Sequence, residues 1–522
     1  MSKFDPIELE LFKNLFTSIT EEMAAVLQRT ALSPNIKERR DFSCALFTRL
    51  GETFAQGSHI PVHLGAMPLS VQAALQSVDF EPGDVVILND PYKGGTHLPD
   101  ITCIQPYFVA QNLCFFVANR AHHSDVGGIT PGSMPLATEI FQEGIIIPPL
   151  KLYKRGRLNE EVLNLFLANV RTPEERRGDI LAQVAANARG AKRLSEMLAS
   201  YGLEKLTLYA DQIQDYTEEI LRKTIKMIPD GIYQFEDYLD DDGVTNQPVK
   251  ISVKLTVKDE EAWVDFSGSS PQVEGSVNAN FAVTFSAVLY VFRSLVEEDI
   301  PFNTGLMRPI HIIAPEGTVV NATFPSALAG GNVETSQRIV DVLLGALAQA
   351  LPGKIPAASQ GTMNNIAFGG YNPWRKANFA YYETIGGGLG ASAETAGLSG
   401  VHCHMTNSLN TPIEALENYL PIKITRYALR RNSGGKGKNR GGDGLIREYQ
   451  FLVPANLTII SDRRKFAPYG LAGGKPGKKG VNLLIRGKKQ TILGSKVNLK
   501  VKAGDVLRIE TPGGGGYGSP KE

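Results

Sequence analysis

The sequence predicts a multidomain α+β (mixed α/β) protein, and three observations lead to this class. At 522 residues the chain is too long for one ordinary hydrophobic core. Its 43% hydrophobic and 21% charged residues are typical of globular proteins. Helical periodicity at the N-terminus is followed by short apolar runs between turn residues. We therefore expect an N-terminal helix, a strand and loop region, a helical segment and a β-rich C-terminal part.

The first element is a long N-terminal helix. Asp5 can cap it, Pro6 suits its first position, and Glu8 has capping-box spacing. Apolar residues then recur every four positions, as expected for one buried stripe: Leu11, Leu15, Ile19, Met23 and Leu27, with Phe12, Phe16 and Val26 beside them. The Ser33-Pro34 pair predicts that the helix has ended by that point.

Three regions follow from the change in pattern along the chain. Short apolar runs between glycine, proline and asparagine turns predict strands and long loops over about 36–155, and a helical segment follows to about 227. Alternation over 249–257 predicts a half-buried strand. We expect an N-terminal α/β region at 1–230, a central α/β region at 231–420 and a glycine-rich β region at 421–522.

Three smaller patterns have ordinary structural interpretations. Asp240–Gly243 predicts a solvated hairpin turn, because no calcium-ligand series follows it. Glu334 and Arg338, four residues apart, predict a local helical ion pair. The basic segment Ser433–Gly442 predicts a flexible surface loop.

Charge and cysteine content exclude several classes of function. The 54 basic residues equal the 54 acidic ones, which argues against nucleic-acid and membrane-surface binding. No signal peptide is visible, and the longest apolar runs are too short to span a bilayer. The four cysteines form no CxxC pair, as is typical of a reducing cytoplasm. Cys403 lies between His402 and His404, and ordinary loop or core roles are favoured there over a soft metal site.

The strongest chemical pattern is a histidine and aspartate cluster in two glycine-rich segments. Asn89–Asp100 contains Asp90, His97 and Asp100, and the second segment runs from His122 to Gly128. Imidazole and carboxylate together suit Zn, Mn or Fe as a divalent ion. A polar hydrogen-bond network in a glycine-rich loop is the alternative.

Several nearby residues have two open interpretations. Asp90 can be a ligand, a supporting partner or a turn former before Pro91. Asp41 can be a further ligand or form a salt bridge to Arg39 or Arg40. His59 and His63 are each expected to be structural, although one of them could join the site. No P-loop, dinucleotide fingerprint or Gly-x-Ser-x-Gly element is found, so the chain offers no ATP site of its own.

The motifs together resemble one known family over essentially the whole chain. They are Gly83-Asp84-Val85, Asn89–Tyr92, Gly94–Asp100, Asn119–Gly128, Met405-Thr406-Asn407, Arg430–Gly437 and the Thr511–Gly518 tail. The chain is similar to the hydantoinase B/oxoprolinase family, which includes N-methylhydantoinase B subunits, the C-terminal half of 5-oxoprolinase, lactamase relatives and subunits of acetone and acetophenone carboxylases.

The resemblance implies a metal-dependent B subunit of an ATP-dependent cyclic amide hydrolase that breaks carbon–nitrogen bonds. A hydantoinase A-type partner would bind ATP and phosphorylate the substrate, in a hetero-oligomer such as A2B2. Carried over to this sequence, the metal ligands would be His97, Asp100 and His122, with Asp41 as a further one. His123, Asp125 and Asp90 would be supporting or proton-transfer groups.

Two alternatives to the hydrolase remain open. The first is a subunit of an ATP-dependent ketone carboxylase, acting on an acetone- or acetophenone-type substrate. The second is a scaffold subunit without catalysis. We expect a cytoplasmic protein that acts on a small cyclic amide or ketone and binds neither nucleic acid nor membrane.

Overall fold

The computed structural model describes residues 5–57 and 59–520, and it confirms the mixed α+β class. Twenty strands form four sheets in this part of the chain. The α-helices within it are α1 (Pro6–Thr30), α2 (Pro34–Lys37), α3 (Ala66–Ser77), α4 (Glu160–Leu167), α5 (Pro173–Tyr201), α6 (Leu203–Lys226), α7 (Phe281–Leu295), α8 (Ser336–Ala350) and α9 (Ile413–Tyr419). None of these helices is both long and apolar enough to cross a membrane.

The first sheet is antiparallel and has seven strands in the order β2-β1-β5-β4-β3-β6-β7. Its strands are β1 (Phe42–Thr48), β2 (Thr53–Gln56), β3 (Val85–Leu88), β4 (Asp100–Val109), β5 (Asn112–His122), β6 (Leu150–Lys154) and β7 (Arg157–Leu158). All residues of β1 are buried, because one face packs on α1 and α5 and the other on α3. This double burial explains the continuous apolar run in its sequence.

The helix α1 begins as the sequence predicts. The Asp5 side chain accepts hydrogen bonds from the amides of Ile7 and Glu8. Its buried stripe includes Phe12, Phe16, Ile19, Met23 and Leu27, whereas the predicted stripe member Leu11 is 43% exposed. The buried face is therefore centred on Phe12 and Phe16, which the sequence placed beside the stripe, and Leu11 lies outside it.

The second sheet lies in the central region and packs on α7 and α8. Its order is β11-β10-β9-β8, with β8 (Gly231–Leu239), β9 (Val249–Lys258), β10 (Glu261–Asp265) and β11 (Ile310–Ile313). Residues of β9 alternate between buried and more exposed, which confirms the predicted half-buried strand.

The third and fourth sheets complete the fold. The third has the order β13-β12-β16-β19, from β12 (Asn365–Asn372), β13 (Ala377–Glu383), β16 (Ala455–Ile460) and β19 (Lys496–Val501). The fourth has the order β14-β15-β20-β17-β18, from β14 (Ile422–Arg430), β15 (Gly444–Phe451), β17 (Val481–Arg486), β18 (Lys489–Leu493) and β20 (Val506–Glu510). The third sheet draws strands from both sides of residue 420, and the three-region division stays a prediction.

The glycine-rich segments pack against one another. The predicted surface loop Ser433–Gly442 does expose Lys436, Lys438 and Arg440, but hydrogen bonds hold its backbone. The Gly435 amide donates to the Gly514 carbonyl, and the Gly514 amide donates to the Gly442 carbonyl. A Cβ at Gly388 would lie 2.0 Å from the Gly442 carbonyl oxygen. Only glycine allows backbones to approach this closely, so these residues form a buried layer of hydrogen-bonded chain.

A buried ionic cluster corrects two other predictions. Asp240, Asp241 and Asp242 are all buried, so their segment is no solvated turn. Arg338 pairs with Asp462 at 3.0 Å and with Asp237 at 2.8 Å. Within the described residues, Arg338 does not pair with Glu334, because its guanidinium is bound by the carboxylates of Asp237 and Asp462.

Candidate metal centre

One end of the first sheet brings together three acidic and histidine positions from distant parts of the sequence. Asp100 is the first residue of β4 and pairs directly with His122, the last residue of β5. On the other side of β5, the His122 amide donates to the carbonyl of Asp41, just before β1. The neighbouring order β1-β5-β4 therefore places all three at one sheet end.

The fourth position, His97, lies in the loop that precedes β4. Two asparagine side chains hold this loop: Asn89 donates to the Leu98 carbonyl at 2.8 Å, and Asn280 donates to the Gly95 carbonyl at 2.9 Å. Gly94 has φ of 82°, and a Cβ there would lie 2.4 Å from the backbone of Leu69. The His97 position is consequently defined by the loop backbone and not by a flexible turn.

His97, Asp100 and His122 converge on one point. A ligand atom from each lies within 4.8 Å of the others, and within the described residues this is the one such group of three. The Oδ1 atom of Asp100 is 3.2 Å from His97 Nε2 and 3.2 Å from His122 Nδ1. Ligand atoms that share a tetrahedral metal at bonds of about 2.1 Å lie roughly 3.4 Å apart, so the spacing fits a bound ion.

The ring of His97 supports the same conclusion. Neither of its nitrogens makes a hydrogen bond, although Nε2 lies 3.2 Å from Asp100 Oδ1. His122 differs, because its Nδ1 shares a hydrogen bond with Asp100 and only its Nε2 has none. Both side chains are almost fully buried. A buried polar atom without a partner costs free energy, so the His97 imidazole is suited to bind a metal ion. The residues present therefore fit a divalent metal.

The two carboxylate oxygens of Asp100 contact different groups. Oδ1 faces the two histidines, while Oδ2 accepts a 2.5 Å hydrogen bond from Thr96 Oγ1 and lies 3.2 Å from His63 Nε2. Burial opposes ionisation of Asp100. The charges of His97 and His63 and hydrogen bonds from His122 and His63 nevertheless hold its pKa well below the usual range. The site thus contains a carboxylate that stays ionised although it is buried.

Burial lowers the pKa of His122, although Asp100 and Asp41 oppose this effect. A histidine with a lowered pKa is neutral at physiological pH, and neutral imidazole is the form that binds metals. His63 is fixed as a supporting residue, because its Nδ1 lies 3.0 Å from Ser43 Oγ while its Nε2 meets Asp100.

The three predicted supporting groups do not contact the triad. His123 Nε2 lies 2.9 Å from Gln183 Oε1 on α5, and Asp125 pairs with Arg171 at 3.0 Å. Asp90 accepts from the Tyr92 amide at 3.0 Å and caps the short turn Pro91–Lys93. In the part of the chain that the structure describes, Asp100 is held by His63 and Thr96 and not by these three predicted groups. The physical reason is that β5 ends at His122, so the chain after it turns toward α5.

Asp41 and the His402–His404 segment have different outcomes. The Asp41 carboxylate lies 3.5 Å from Arg39 Nη2, which matches its predicted salt bridge, and its role as a ligand stays a prediction. Cys403 joins no group of three metal-ligating residues in the described chain, and burial raises the pKa of its thiol to about 12. An ordinary loop or core role for that segment stays a prediction.

Two further residues at the site, Thr96 and Tyr382, were not named among the predicted site residues. Thr96 is one of many threonines, although its position directly before His97 could have indicated it. Tyr382 lies more than 250 residues from the ligands in sequence, yet its ring stacks on His122 with centroids 4.4 Å apart. Only the packing of the third sheet on the first reveals that contact.

Comparison with known proteins identifies the family. The family described as hydantoinase B/oxoprolinase matches residues 5–520. A 5-oxoprolinase 1 of Arabidopsis thaliana is 42% identical over 99% of this chain, but the match covers only 42% of that longer protein. A putative D-/L-hydantoinase B subunit of a Pseudomonas species is 33% identical over 100% of this chain and 91% of its own length.

Solved structures agree with this assignment. An ATP-dependent caprolactamase of Pseudomonas jessenii has a TM-score of 0.92 and 28% identity, covering 99% of this chain and 92% of that one. A nucleotide-free acetone carboxylase shares the fold, with a TM-score of 0.88 at 20% identity over 99% of this chain and 76% of that one. The chain belongs to the hydantoinase B/oxoprolinase family.

Proposed function

We propose that this chain is the metal-dependent subunit of an ATP-dependent cyclic amide hydrolase that acts together with an ATP-binding partner subunit. The observation that carries the proposal is the buried triad His97, Asp100 and His122, in which neither ring nitrogen of His97 makes a hydrogen bond. The sequence lacks a nucleotide motif, which is consistent with ATP being bound elsewhere. The names of the relatives support a hydantoin, lactam or 5-oxoproline-like substrate and a partner subunit.

His97, Asp100 and His122 would hold a divalent Zn, Mn or Fe ion, with Asp41 as a candidate further ligand. When bound, such an ion supplies a Lewis acid that polarises oxygen and makes water more acidic. Thr96 and His63 keep Asp100 Oδ2 engaged, so that Oδ1 stays directed at the two histidines. All three side chains are buried, so the position that would hold the ion is shielded from bulk water.

The chemistry expected of the pair begins with phosphorylation of the amide oxygen by the partner. One water then adds to the activated carbon, and cleavage of the ring carbon–nitrogen bond leaves an acyl phosphate and an amine. A second water releases phosphate and the carboxylate. This division would explain why two subunits are needed: the partner would bind ATP, and this chain would activate water.

The test is a coupled assay with the A-type partner co-expressed. We expect ADP release and ring opening with a cyclic amide such as 5-oxoproline, hydantoin or caprolactam, and the complex to contain stoichiometric metal. His97→Ala should abolish both ring opening and metal content. His311→Ala is the matched control, because His311 is an exposed histidine paired with Glu261 on the second sheet.

Other outcomes would reject the proposal. ATP- and bicarbonate-dependent carboxylation of acetone or acetophenone without amide hydrolysis would indicate a ketone carboxylase. A complex without stoichiometric metal that keeps full activity after His97→Ala would indicate a scaffold subunit. ATP hydrolysis by the isolated chain would contradict the division of labour, and native mass spectrometry would report whether the assembly is A2B2.

A further inference from the structure

The ring of Tyr382 covers one face of His122. Their ring planes are 19° from parallel and their centroids are 4.4 Å apart. Tyr382 belongs to β13 in the third sheet, whereas all three triad residues belong to the first sheet and its loop. The stacked pair is therefore a direct contact between the candidate metal centre and a different part of the fold.

The hydroxyl of Tyr382 is anchored by two further buried side chains. It donates to Asn365 Oδ1 at 2.7 Å. The Asn365 amide nitrogen donates to Glu334 Oε1 at 2.8 Å and to the Ile460 carbonyl at 2.7 Å. These two acceptors fix the orientation of the amide group, so its oxygen must face Tyr382. The tyrosine ring consequently has one preferred position.

Glu334 itself lies in an unusual backbone segment. Residues Gly331–Thr335 form a π-helical turn at the start of α8, and such turns are frequent at functional sites. A Cβ at Gly331 would lie 1.7 Å from the Asn278 carbonyl oxygen, so the turn is pressed against a neighbouring loop. Glu334 Oε1 also accepts from the Met363 amide at 3.2 Å. Glu334, to which Tyr382 is linked through Asn365, is therefore held in one position.

Arg39 holds Tyr382 a second time. Its Nη1 donates to the Tyr382 carbonyl at 3.1 Å, and its guanidinium carbon is 5.1 Å from the tyrosine ring centroid. Its Nη2 lies 3.5 Å from Asp41 Oδ2 and donates to Thr384 Oγ1 at 2.9 Å. Backbone and ring of Tyr382 are therefore both constrained beside the metal centre.

We propose that Tyr382 is a positioning residue for the metal centre: its ring, anchored through Asn365 to Glu334, holds the His122 imidazole in its ligating orientation. This inference rests on the proposed function, because it requires a metal at the triad. Groups that orient a ligating histidine raise metal affinity, since the free histidine then loses less rotational freedom on binding. The anchor thus makes metal binding depend on the third sheet and on the start of α8.

The test measures binding of Co²⁺ alone to the metal-free, full-length chain, by chelator competition and by visible absorption. Tyr382→Phe keeps the ring and removes the anchor, and we expect about a threefold to tenfold weaker affinity. Tyr382→Leu removes the stacked ring, and we expect about a 10- to 100-fold loss and an altered Co²⁺ spectrum. Tyr381→Phe is the matched control, because the neighbouring Tyr381 hydroxyl contacts Thr411 and not the triad.

A second pair of variants tests the anchor itself. Glu334→Gln keeps an Oε1 acceptor for Asn365, so Co²⁺ affinity should stay within about twofold of the parent. Glu334→Leu removes the acceptor, and the affinity should fall as in Tyr382→Phe. Thermal unfolding of each metal-free variant separates this effect from general destabilisation. Tyr382→Phe and Tyr381→Phe each remove a buried tyrosine hydroxyl, so both should lower the metal-free Tm, whereas only Tyr382→Phe should weaken Co²⁺ binding.

The outcomes are distinguishable. If the parent chain binds no Co²⁺ at the triad, the proposed function fails. If the parent binds Co²⁺ and both Tyr382 variants match Tyr381→Phe in affinity and spectrum, the positioning role fails while the metal site stands. Equal affinities for Glu334→Gln and Glu334→Leu would likewise overturn the anchor.

Discussion

Asp100 and His122 face each other across the β4–β5 pair, with Asp100 Oδ1 3.2 Å from His122 Nδ1. Direct register pairing at the first residue of one strand and the last of the next gives this contact little freedom. Two of the three candidate ligands therefore come from β4 and β5, and the third, His97, comes from the loop before β4.

Asp100→Asn should remove metal binding without preventing folding. The amide is nearly the same size, but it is uncharged and a poor metal ligand. We expect the metal affinity of the purified chain to fall by more than about 100-fold and ring opening by the complex to be lost, whereas His311→Ala should change neither. Metal content by elemental analysis is the measurement. Retention of one metal per chain in Asp100→Asn would contradict the ligand assignment.

Thr96→Val tests the hydrogen bond that holds Asp100 Oδ2. Valine has the shape of threonine without its hydroxyl, so one charged acceptor loses a partner. We expect a loss of about 2 kcal/mol in the free energy of unfolding and about tenfold weaker metal binding. Thr30→Val is the control, since the Thr30 hydroxyl bonds only within α1 in an exposed position. Urea unfolding and chelator competition give the two values, and a variant equal to the control in both would reject the role.

Glu143→Gln tests a buried carboxyl group outside the triad. Its Oε1 accepts from the amides of Leu328 and Ala329, and burial raises its pKa to about 8 despite these hydrogen bonds. A raised folded-state pKa means that stability is fully present below the unfolded value near 4.5 and is lost as pH rises toward 8. Glutamine cannot ionise, so the free energy of unfolding of Glu143→Gln should not fall in this way as pH rises.

We therefore expect Glu143→Gln to be stabilised, relative to the parent, by about 2 kcal/mol more at pH 7.5 than at pH 5.5. Urea unfolding at the two pH values measures the difference. Glu316→Gln is the control, because it makes the same substitution at an exposed glutamate. An equal effect of Glu143→Gln at both pH values would show that the group is ionised throughout.

Gly388→Ala tests the packed glycine layer. The added Cβ would lie 2.0 Å from the Gly442 carbonyl oxygen and 2.4 Å from the Gly514 amide nitrogen, so backbone would have to move. We expect a loss of more than about 4 kcal/mol in the free energy of unfolding, or no soluble protein. Gly494→Ala is the matched control, since its nearest neighbour would be 3.6 Å away. Similar Tm values for the two variants would mean that the layer is loose.

Local physical rules account for the parts of the fold that were predictable. Asp5 and Pro6 start α1 because capping and a fixed φ act within one turn. The alternation over β9 follows from its two faces having different surroundings. The pairing of His97, Asp100 and His122 was accessible because the first two are neighbours in the chain and the third ends the adjacent strand.

Prediction failed where burial depends on distant chain segments. Asp240–Gly243 has the composition of an exposed turn, yet the Asp240 carboxylate accepts amide hydrogen bonds from Arg464 and Lys465. Glu334 and Arg338 have the spacing of a local pair, but Arg338 pairs with Asp237 and Asp462, and Glu334 accepts from Asn365. His123 and Asp125 lie close to the ligands in sequence, yet neither contacts the triad, because the chain turns toward α5 after His122.

The order of residues along the chain was thus sufficient for the mixed α+β class, the N-terminal helix, the family and the three residues of the candidate centre. Folding in three dimensions selected which side chains support those residues: His63 and Thr96 on Asp100, and Tyr382 on His122. The physical reason is range. Capping, alternation and motif spacing act between neighbours in sequence, whereas burial and hydrogen bonding join residues that meet only when separate sheets pack together.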